Sequence, residues 1–318
     1  MNDRATPADL GRVLITGANG HLGRALIARL AGGRRAPRAA LRAVVRSERA
    51  AATVRALPER PELVVLDYGD VDALARAAAG CDAVVHLVGI LKEAPGTRYE
   101  DAHEGSARAL AQAAARAGCH RIVYLSILGA APASPNACLA SKARAEQILL
   151  APPLRTTVLR VPMVLGGDDP ASAALRARAR SRLLAMPRGG ASLEQPIDAA
   201  DVVEAIVAAL ARPELAGRAL DLAGPESLPR RALVRRAAAL AGARGPTIVP
   251  VPLALVRLFA ALAERIAANP PLTTAMLGVL EHDDRVDPEP ACRALGIRLT
   301  PLDETLRRCL AAADGARR

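Results

Sequence analysis

The sequence predicts an α/β fold, a doubly wound parallel sheet with a smaller, mostly helical C-terminal lobe. Three observations predict it. Short apolar runs alternate with helical periodicities through roughly the first half of the chain. The first run ends in a glycine turn that opens directly into a helix. After Pro162 the alternation gives way to mainly helical patterns. Strands covered by helices on both faces read as continuous apolar runs, and these do. The expected division is residues 1–165 for a dinucleotide-binding lobe and 166–318 for a lobe facing substrate or partner.

The organising stretch is RVLITGANGHLGRALIARLA, residues 12–31. Residues 12–16 form a buried strand. Gly17, Gly20 and Gly23 follow at intervals of three, and Leu22, Leu26, Ile27 and Leu30 recur at helical spacing. Such a turn lets backbone approach a pyrophosphate, which the free N–H groups and positive dipole end of the helix then hold. The second strand is 41–45 and ends at Arg46; the third is 63–66 and ends at Asp67 and Tyr68. A helix is expected over 70–79, a fourth strand over 82–87 closing at Val88 and Gly89, and a helix over 100–117. A fifth strand, 121–125, ends at Ser126, a helix covers 135–150, and a sixth strand, 156–161, is closed by Pro162. Ligands of such sheets bind outside the carboxyl ends of the strands, where Gly17, Arg46, Asp67, Gly89, Ser126 and Met163 all fall. At the end of the second strand an acidic residue suits a ribose 2′-hydroxyl and a basic one a 2′-phosphate. Arg46, with Arg24 behind the glycine turn, therefore favours NADP(H) over NAD.

Beyond Gly166 and Gly167 a helix is expected over 171–184, with Arg176, Arg178, Arg180 and Arg182 as a solvated face. Further elements are a helix over 198–210, a strand over 218–222 and a mainly helical remainder broken at 250–252 and 270–271. Residues 253–268 carry Leu255, Leu258, Phe259, Leu262 and Ile266 on one side. That face is expected to pack against the second lobe, with a membrane surface or partner as the alternative. His103 reads as a packed or capping histidine, and 281–284, EHDD, as an acidic turn in preference to a metal site.

Apolar residues make up 51% of 318, enough for a core, but with one Phe and no Trp the core is aliphatic. The net charge of +11 is read mainly as solvated arginines; with so few aromatics for stacking, nucleic acid is not an expected partner. Five scattered cysteines without a CxxC pair, and no HExxH, leave no visible zinc site and suit a reducing compartment. The polar start MNDRATPADLG has no apolar signal core and no run of about 18 apolar residues occurs. A cytoplasmic location is the expectation, with peripheral membrane contact as the alternative left open. Only two of the 43 basic residues are lysines, Lys92 and Lys142, so each is a candidate for a role the always-protonated, forked Arg does not fill.

Together these residues resemble a known family. Thr16-Gly17-Ala18-Asn19-Gly20-His21-Leu22-Gly23 is similar to the TGxxGxxG turn of extended short-chain dehydrogenases/reductases. Asp67 resembles their adenine-binding Asp, and His86-Leu87-Val88-Gly89-Ile90 the segment lining the ribose. Tyr124-Leu125-Ser126 resembles the strand that ends in their catalytic Ser. The run from Arg160 to Gly166 resembles RPxxxxG, where Val164 backbone would meet the carboxamide, and Asp198-Ala199-Ala200-Asp201-Val202 the VDDVA helix start. HLVGILKE and the C-terminal half look closest to an atypical subgroup. It includes the nucleotide-binding accessory subunit of respiratory complex I and relatives implicated in coenzyme Q metabolism. The resemblance implies a Rossmann fold, a nicotinamide cofactor and a respiratory or quinone-related partner.

The family's active site is Tyr-x-x-x-Lys, in which Lys lowers the Tyr pKa and holds the ribose. Here that register reads Cys138-Leu139-Ala140-Ser141-Lys142. Residues four apart share a helix face, so Cys138 points where Tyr should, but a thiol falls short of a phenol oxygen and proton transfer needs about 2.6–3.2 Å. Either the nearby lysine lowers the thiol pKa and makes Cys138 reactive, or Cys138 is a small buried space-filler. The resemblance therefore implies an NADP(H)-binding protein with an accessory, assembly or quinone-related role. The alternative is an oxidoreductase or epimerase/dehydratase using Ser126, Lys142 and a non-standard proton donor, or none. Tyr99, opening a helix, is the remaining acid near the opposite wall.

Overall fold

The structure, a computed structural model, describes residues 10–32, 39–267 and 269–315. The polar lead-in at 1–9 and Ala268, the expected end of one helix, lie outside the described residues.

In chain order the sheet-forming half runs β1 (Gly11–Thr16), α1 (His21–Ala31), β2 (Ala39–Val45), α2 (Glu48–Arg55), β3 (Glu62–Val65), α3 (Val71–Ala78) and β4 (Ala83–His86). A π-helical turn, Glu100–Gly105, leads into α4 (Ser106–Ala117), followed by β5 (Arg121–Ile127), α5 (Ala137–Leu150) and β6 (Arg155–Val161). The rest comprises β7 (Val164–Leu165), α6 (Pro170–Arg180), β8 (Leu183–Pro187), β9 (Leu193–Glu194), β10 (Ile197–Asp198), α7 (Ala199–Ala211), β11 (Ala219–Asp221), β12 (Leu228–Pro229), α8 (Arg230–Leu240), β13 (Thr247–Val251), α9 (Leu253–Ile266), α10 (Thr274–Leu280), α11 (Glu289–Leu295) and α12 (Leu302–Gly315).

The main sheet has the order β11-β6-β5-β4-β1-β2-β3 and every pairing in it is parallel. Its order reverses between β1 and β4, which is where an open α/β sheet leaves a crevice for a ligand. Alternate residues of β1 serve opposite layers. Val13 and Ile15 pack with α1, α7 and α11, while Leu14 packs with α3, α4 and α5. All three are fully buried. The long apolar runs follow from this two-sided burial.

Past residue 165 the chain returns to this sheet. α7 packs on the β1 face, and β11 extends the sheet beside β6. A third cluster joins α6, α8 and α12 through Leu175, Leu233, Val234, Leu302 and Leu306.

Three C-terminal expectations are corrected. The helix expected over 171–184 ends at Arg180, because residues 183–187 pair in parallel with β13. Its arginines are not one solvated face either: Arg176 donates to the carbonyls of Gly167 and Cys309, and burial depresses the pKa of Arg178. α9 does not bury its apolar side against the lobe. Of its residues only Ala260 is buried.

Candidate functional site

The crevice starts at the glycine turn. Gly17 takes φ +73°, and a Cβ on it would stand 3.2 Å from the Leu87 carbonyl. The turn and the segment following β4 thus touch backbone to backbone. Gly23 is equally constrained: a Cβ there would meet the carbonyl oxygens of Gly17 and Ala18 at 2.7 Å. Gly20, by contrast, is exposed, and its Cβ would meet only the Gly17 oxygen, at 3.2 Å, leaving open space above the turn. Gly20 is also the N-cap of α1; no side chain caps that end and no acid lies in its first turn. An uncapped amide-lined helix tip facing open space is the cradle a diphosphate requires. Asn19 and Leu22 are half-buried beside it. His21 turns its ring to Gly166, where a Cβ would collide with Nε2, so the helix start packs on the RVPMVLG segment. Val164 in that segment is half-buried and pairs with Ile197.

At the expected adenosine end Arg46 is exposed at the tip of β2, and Arg24 Nε is buried without a hydrogen-bond partner. Asp67 is exposed, with Oδ1 accepting from the Gly69 amide at 2.8 Å. Tyr68 has a different place from the one its neighbour suggests. Its hydroxyl accepts from the Gly17 amide at 2.9 Å and donates to the Val44 carbonyl at 3.1 Å, so it braces the glycine turn from beneath. Burial pushes its pKa up to about 12, and it stays protonated. Nothing in the sequence marks this role.

At the end where the resemblance places the nicotinamide, α5 carries Cys138 and Lys142. Asn136 caps it, accepting from the amides of Cys138 and Leu139. Lys142 is buried, and Nζ donates to the Tyr124 hydroxyl at 3.1 Å and the carbonyls of Leu125 at 3.0 Å and Val88 at 3.4 Å. It also lies 4.7 Å from the Tyr124 ring centre. Burial pulls its pKa down to about 8. A Cβ on Gly89 would stand 2.9 Å from Nζ, which explains a glycine there. Leu87 and Val88 are half-buried and complete the wall.

Cys138 is 1% exposed, and Sγ reaches the Ile90 carbonyl at 3.7 Å. Burial outweighs Lys142 and pushes its thiol pKa up to about 11. Of the two readings of Cys138, the geometry matches the small buried side chain and not an activated thiol. Ser126 is also buried, and its hydroxyl donates to Glu146 Oε1 at 2.5 Å. Glu146 is in turn paired with Arg160. Ser126 is thus tied to an ion pair that joins α5 to β6. Sequence reasoning missed this pair, although Lys142 and Glu146 lie one helical turn apart on one face.

Two histidines complete the floor. His86 bonds Thr16 Oγ1 at 2.7 Å, and Ser106 Oγ stands 3.4 Å from its other nitrogen. His103 Nε2 lies 3.1 Å from the Ile90 amide, while its Nδ1 is buried without a partner. Burial lowers both to about 3, so both are neutral. His103 is packed, as expected. Tyr99 donates to the Leu91 carbonyl at 2.8 Å, and burial raises its pKa further above the phenol range. The EHDD turn is structural as well: His282 pairs with Asp284, and Glu281 with Arg230.

Comparison with known proteins identifies the family. A family model described as NAD(P)H-binding covers residues 17–213, more than half the chain. Subunit 9 of the NADH dehydrogenase [ubiquinone] 1 alpha subcomplex from Mus musculus is 29% identical over 254 residues, 76% of this chain and 66% of that protein. A protein named ceramide reductase from Caulobacter vibrioides is 30% identical over 182 residues, 55% of this chain and 53% of that one. A 4-hydroxy-2-methyl-3-oxo-4-farnesyl-3,4-dihydroquinoline-1-oxide ketoreductase from Stigmatella aurantiaca is 31% identical over 180 residues, 50% of this chain and 52% of that protein. The chain thus spans about half to two thirds of the length of these three relatives. Among solved structures, gox2253 superposes with a TM-score of 0.75 at 23% identity, covering 96% of this chain and 98% of that one. A UDP-N-acetylglucosamine 4-epimerase from Bacillus cereus gives 0.71 at 15% identity, covering 96% and 99%. These two share the fold. The chain belongs to the NAD(P)H-binding family, and within it to the atypical short-chain dehydrogenases/reductases grouped with the complex I subunit.

Proposed function

We propose that this protein binds NADP(H) as an accessory or assembly component of a quinone-linked redox system, without the family's usual proton relay. The observation that carries the reading is the state of the Tyr-x-x-x-Lys register. Cys138 is buried with its pKa raised, and Lys142 donates to Tyr124, Leu125 and Val88. Neither group offers a proton where the tyrosine would. The nicotinamide cofactor supplies hydride chemistry when bound. In this reading the chain's own residues bind and orient it: Gly17, Gly20 and Gly23 accept the diphosphate, with Asn19, His21 and Leu22 around it. Asp67 meets the adenosine, Leu87, Val88, Gly89 and Lys142 line the ribose, and Val164 faces the carboxamide. NADP is preferred because exposed Arg46 and the unpaired guanidinium nitrogen of Arg24 offer charge to a 2′-phosphate, while no acid ends β2. The similarity to complex I subunit 9 supports a respiratory partner.

The test is mass spectrometry of the nucleotide that co-purifies with the native protein, followed by its exchange rate. Tightly held, slowly exchanging NADPH is expected. Arg46→Glu is expected to weaken NADPH at least about tenfold, with little change for NADH, since one charge-assisted phosphate contact contributes about 1.5–3 kcal/mol. Equal loss for both nucleotides would remove the NADP assignment.

A second reading is favoured by the relatives named as reductases of a ceramide and of a farnesyl-bearing quinoline oxide. In it the chain is an NADPH-dependent oxidoreductase for an apolar substrate, with a solvent-borne proton in place of tyrosine. NADPH oxidation driven by a short-chain ubiquinone or a long-chain ketone, and abolished in Lys142→Met, would favour it over the accessory role.

A further inference from the structure

α9 is amphipathic with its apolar side outward. Leu255, Leu258, Phe259, Leu262 and Ile266 recur at helical spacing and form one stripe, each 46–84% exposed. The chain has a single Phe and no Trp, and that Phe stands 59% exposed on this stripe and not in the core. The side turned to the protein is Val256, Ala260 and Ala263. Glu264 is held by the Thr274 amide and hydroxyl. Isolated exposed leucines need no explanation, but a contiguous stripe marks an interaction surface.

The exposed charges on and beside the stripe are mostly arginines; the one acid of the helix, Glu264, is engaged by Thr274. Arg257 and Arg265 are exposed on the helix itself. β13, which leads into α9, pairs with β8; together they expose Leu183 and Val249, and Arg182 and Arg188 stand exposed at either end of β8. Residues 182–190 and 241–263 contain no Asp or Glu. The C-terminal end of the helix is tied to the crevice. Lys92, just past the ribose-lining segment, donates to Asn269 Oδ1 at 2.6 Å and the Pro270 carbonyl at 3.0 Å. Leu91 beside it is 54% exposed.

We propose that α9 lies in the surface of an anionic phospholipid membrane, with its Leu, Phe and Ile side chains at the acyl boundary and Arg257 and Arg265 among the headgroup phosphates. The 14 residues of the helix span about 21 Å. A second copy of the chain is the poorer occupant, since a stable dimer needs about 800 Å² and some 20 residues on each side. No described helix is long and apolar enough to cross a membrane, so contact is along the surface. The inference stands independently of which nucleotide the crevice holds.

The test is flotation of the full-length protein with vesicles of phosphatidylcholine alone and of phosphatidylcholine with roughly a quarter phosphatidylglycerol. Binding to the anionic vesicles is expected, at least about tenfold weaker on neutral ones and weakened by salt. The double variant Phe259→Asp, Leu262→Asp alters exposed positions only. It is expected to lose at least about tenfold in vesicle binding while keeping its melting temperature and NADPH affinity. Three results overturn the proposal: no binding of wild-type protein to anionic vesicles, equal binding to both vesicle types, or undiminished binding of a folded double variant. Self-association in lipid-free solution that the double variant abolishes, with no vesicle binding, would assign the stripe to a second copy instead. Failure of the cofactor assignment would appear separately, as absent NADPH affinity in protein that still floats.

Discussion

Lys142 is a buried ammonium whose attractive partners are three oxygens and an aromatic face, with no carboxylate in direct contact. Its pKa of about 8 is below the 10.5 of a free lysine, so the unfolded chain holds this proton more tightly than the folded one. Stability owed to Lys142 is therefore complete above pH 10.5 and is lost as pH falls to about 8. Relative to Lys142→Met, the wild-type protein is expected to gain up to about 3 kcal/mol between those limits, measurable by urea titration at pH 7.5 and about 10. A flat difference would mean that water or a counter-charge reaches the amine. Cys138 gives a companion prediction. With a pKa of about 11 and almost no exposure, it is expected to react with iodoacetamide at pH 8 at least about a hundredfold more slowly than a free thiol. Fast, Lys142-dependent alkylation would restore the activated-thiol reading.

At the scale of elements, α5 acts as a bracket. Asn136 closes its first turn and donates to the Ala275 carbonyl, and Lys142 reaches the ends of β4 and β5. One turn on, Glu146 holds Ser126 of β5 and Arg160 of β6. Glu146→Ala leaves a half-buried guanidinium with only Asp221, at 3.5 Å, and is expected to cost about 3 kcal/mol in chemical denaturation. Glu146→Gln should recover part of that, and a loss below about 1 kcal/mol would show that the pair is solvated. The contrast between Lys142 and Ser126 shows how far the sequence could be read. The glycine turn was legible because its chemistry is local: strand, three glycines and helix are contiguous. Cys138 and Lys142 were legible because a helix fixes what residues four apart share. Ser126 lay at the right strand end, but its hydroxyl orientation depends on Glu146 and Arg160, which arrive from other elements. Tyr68 stands beside Asp67 at the end of the third strand in sequence, whereas its hydrogen bond to Gly17 is a tertiary contact. For α9 the period was plain and the direction was not, because periodicity locates an apolar stripe without saying what it faces. The first two residues of β8, Leu183 and Leu184, read as the end of a helix for a related reason: their pairing partners lie some sixty residues further on.

At the scale of the whole molecule, the layer beneath the crevice holds two imidazoles neutral beside a buried ammonium. His86 and His103 are almost fully buried, next to one another and to Lys142, and desolvation holds both near pKa 3. Between pH 6.5 and 3 the unfolded chain binds protons that the folded chain rejects, so the stability contributed by neutral His86 and His103 is complete above pH 6.5 and falls with acid. At pH 4.5 the loss is about 2–3 kcal/mol per histidine, a large fraction of the 5–15 kcal/mol typical of a domain. Glu104 and Asp169, whose pKa values are lowered by Arg144 and by the Ser172 and Gly166 contacts, add to the loss only as pH approaches the carboxylate range. The protein is thus expected to weaken from pH 6.5 downward, well before its carboxylates titrate. His103→Gln removes one of the two groups without introducing a charge, so its stability should fall less steeply between pH 7 and 4.5, the two curves converging by about 2–3 kcal/mol at the acid end. Urea midpoints for the two proteins across that range make the comparison. Parallel curves would mean that His103 is protonated within the fold, and that water reaches the floor of the crevice where the burial of these side chains says it is dry.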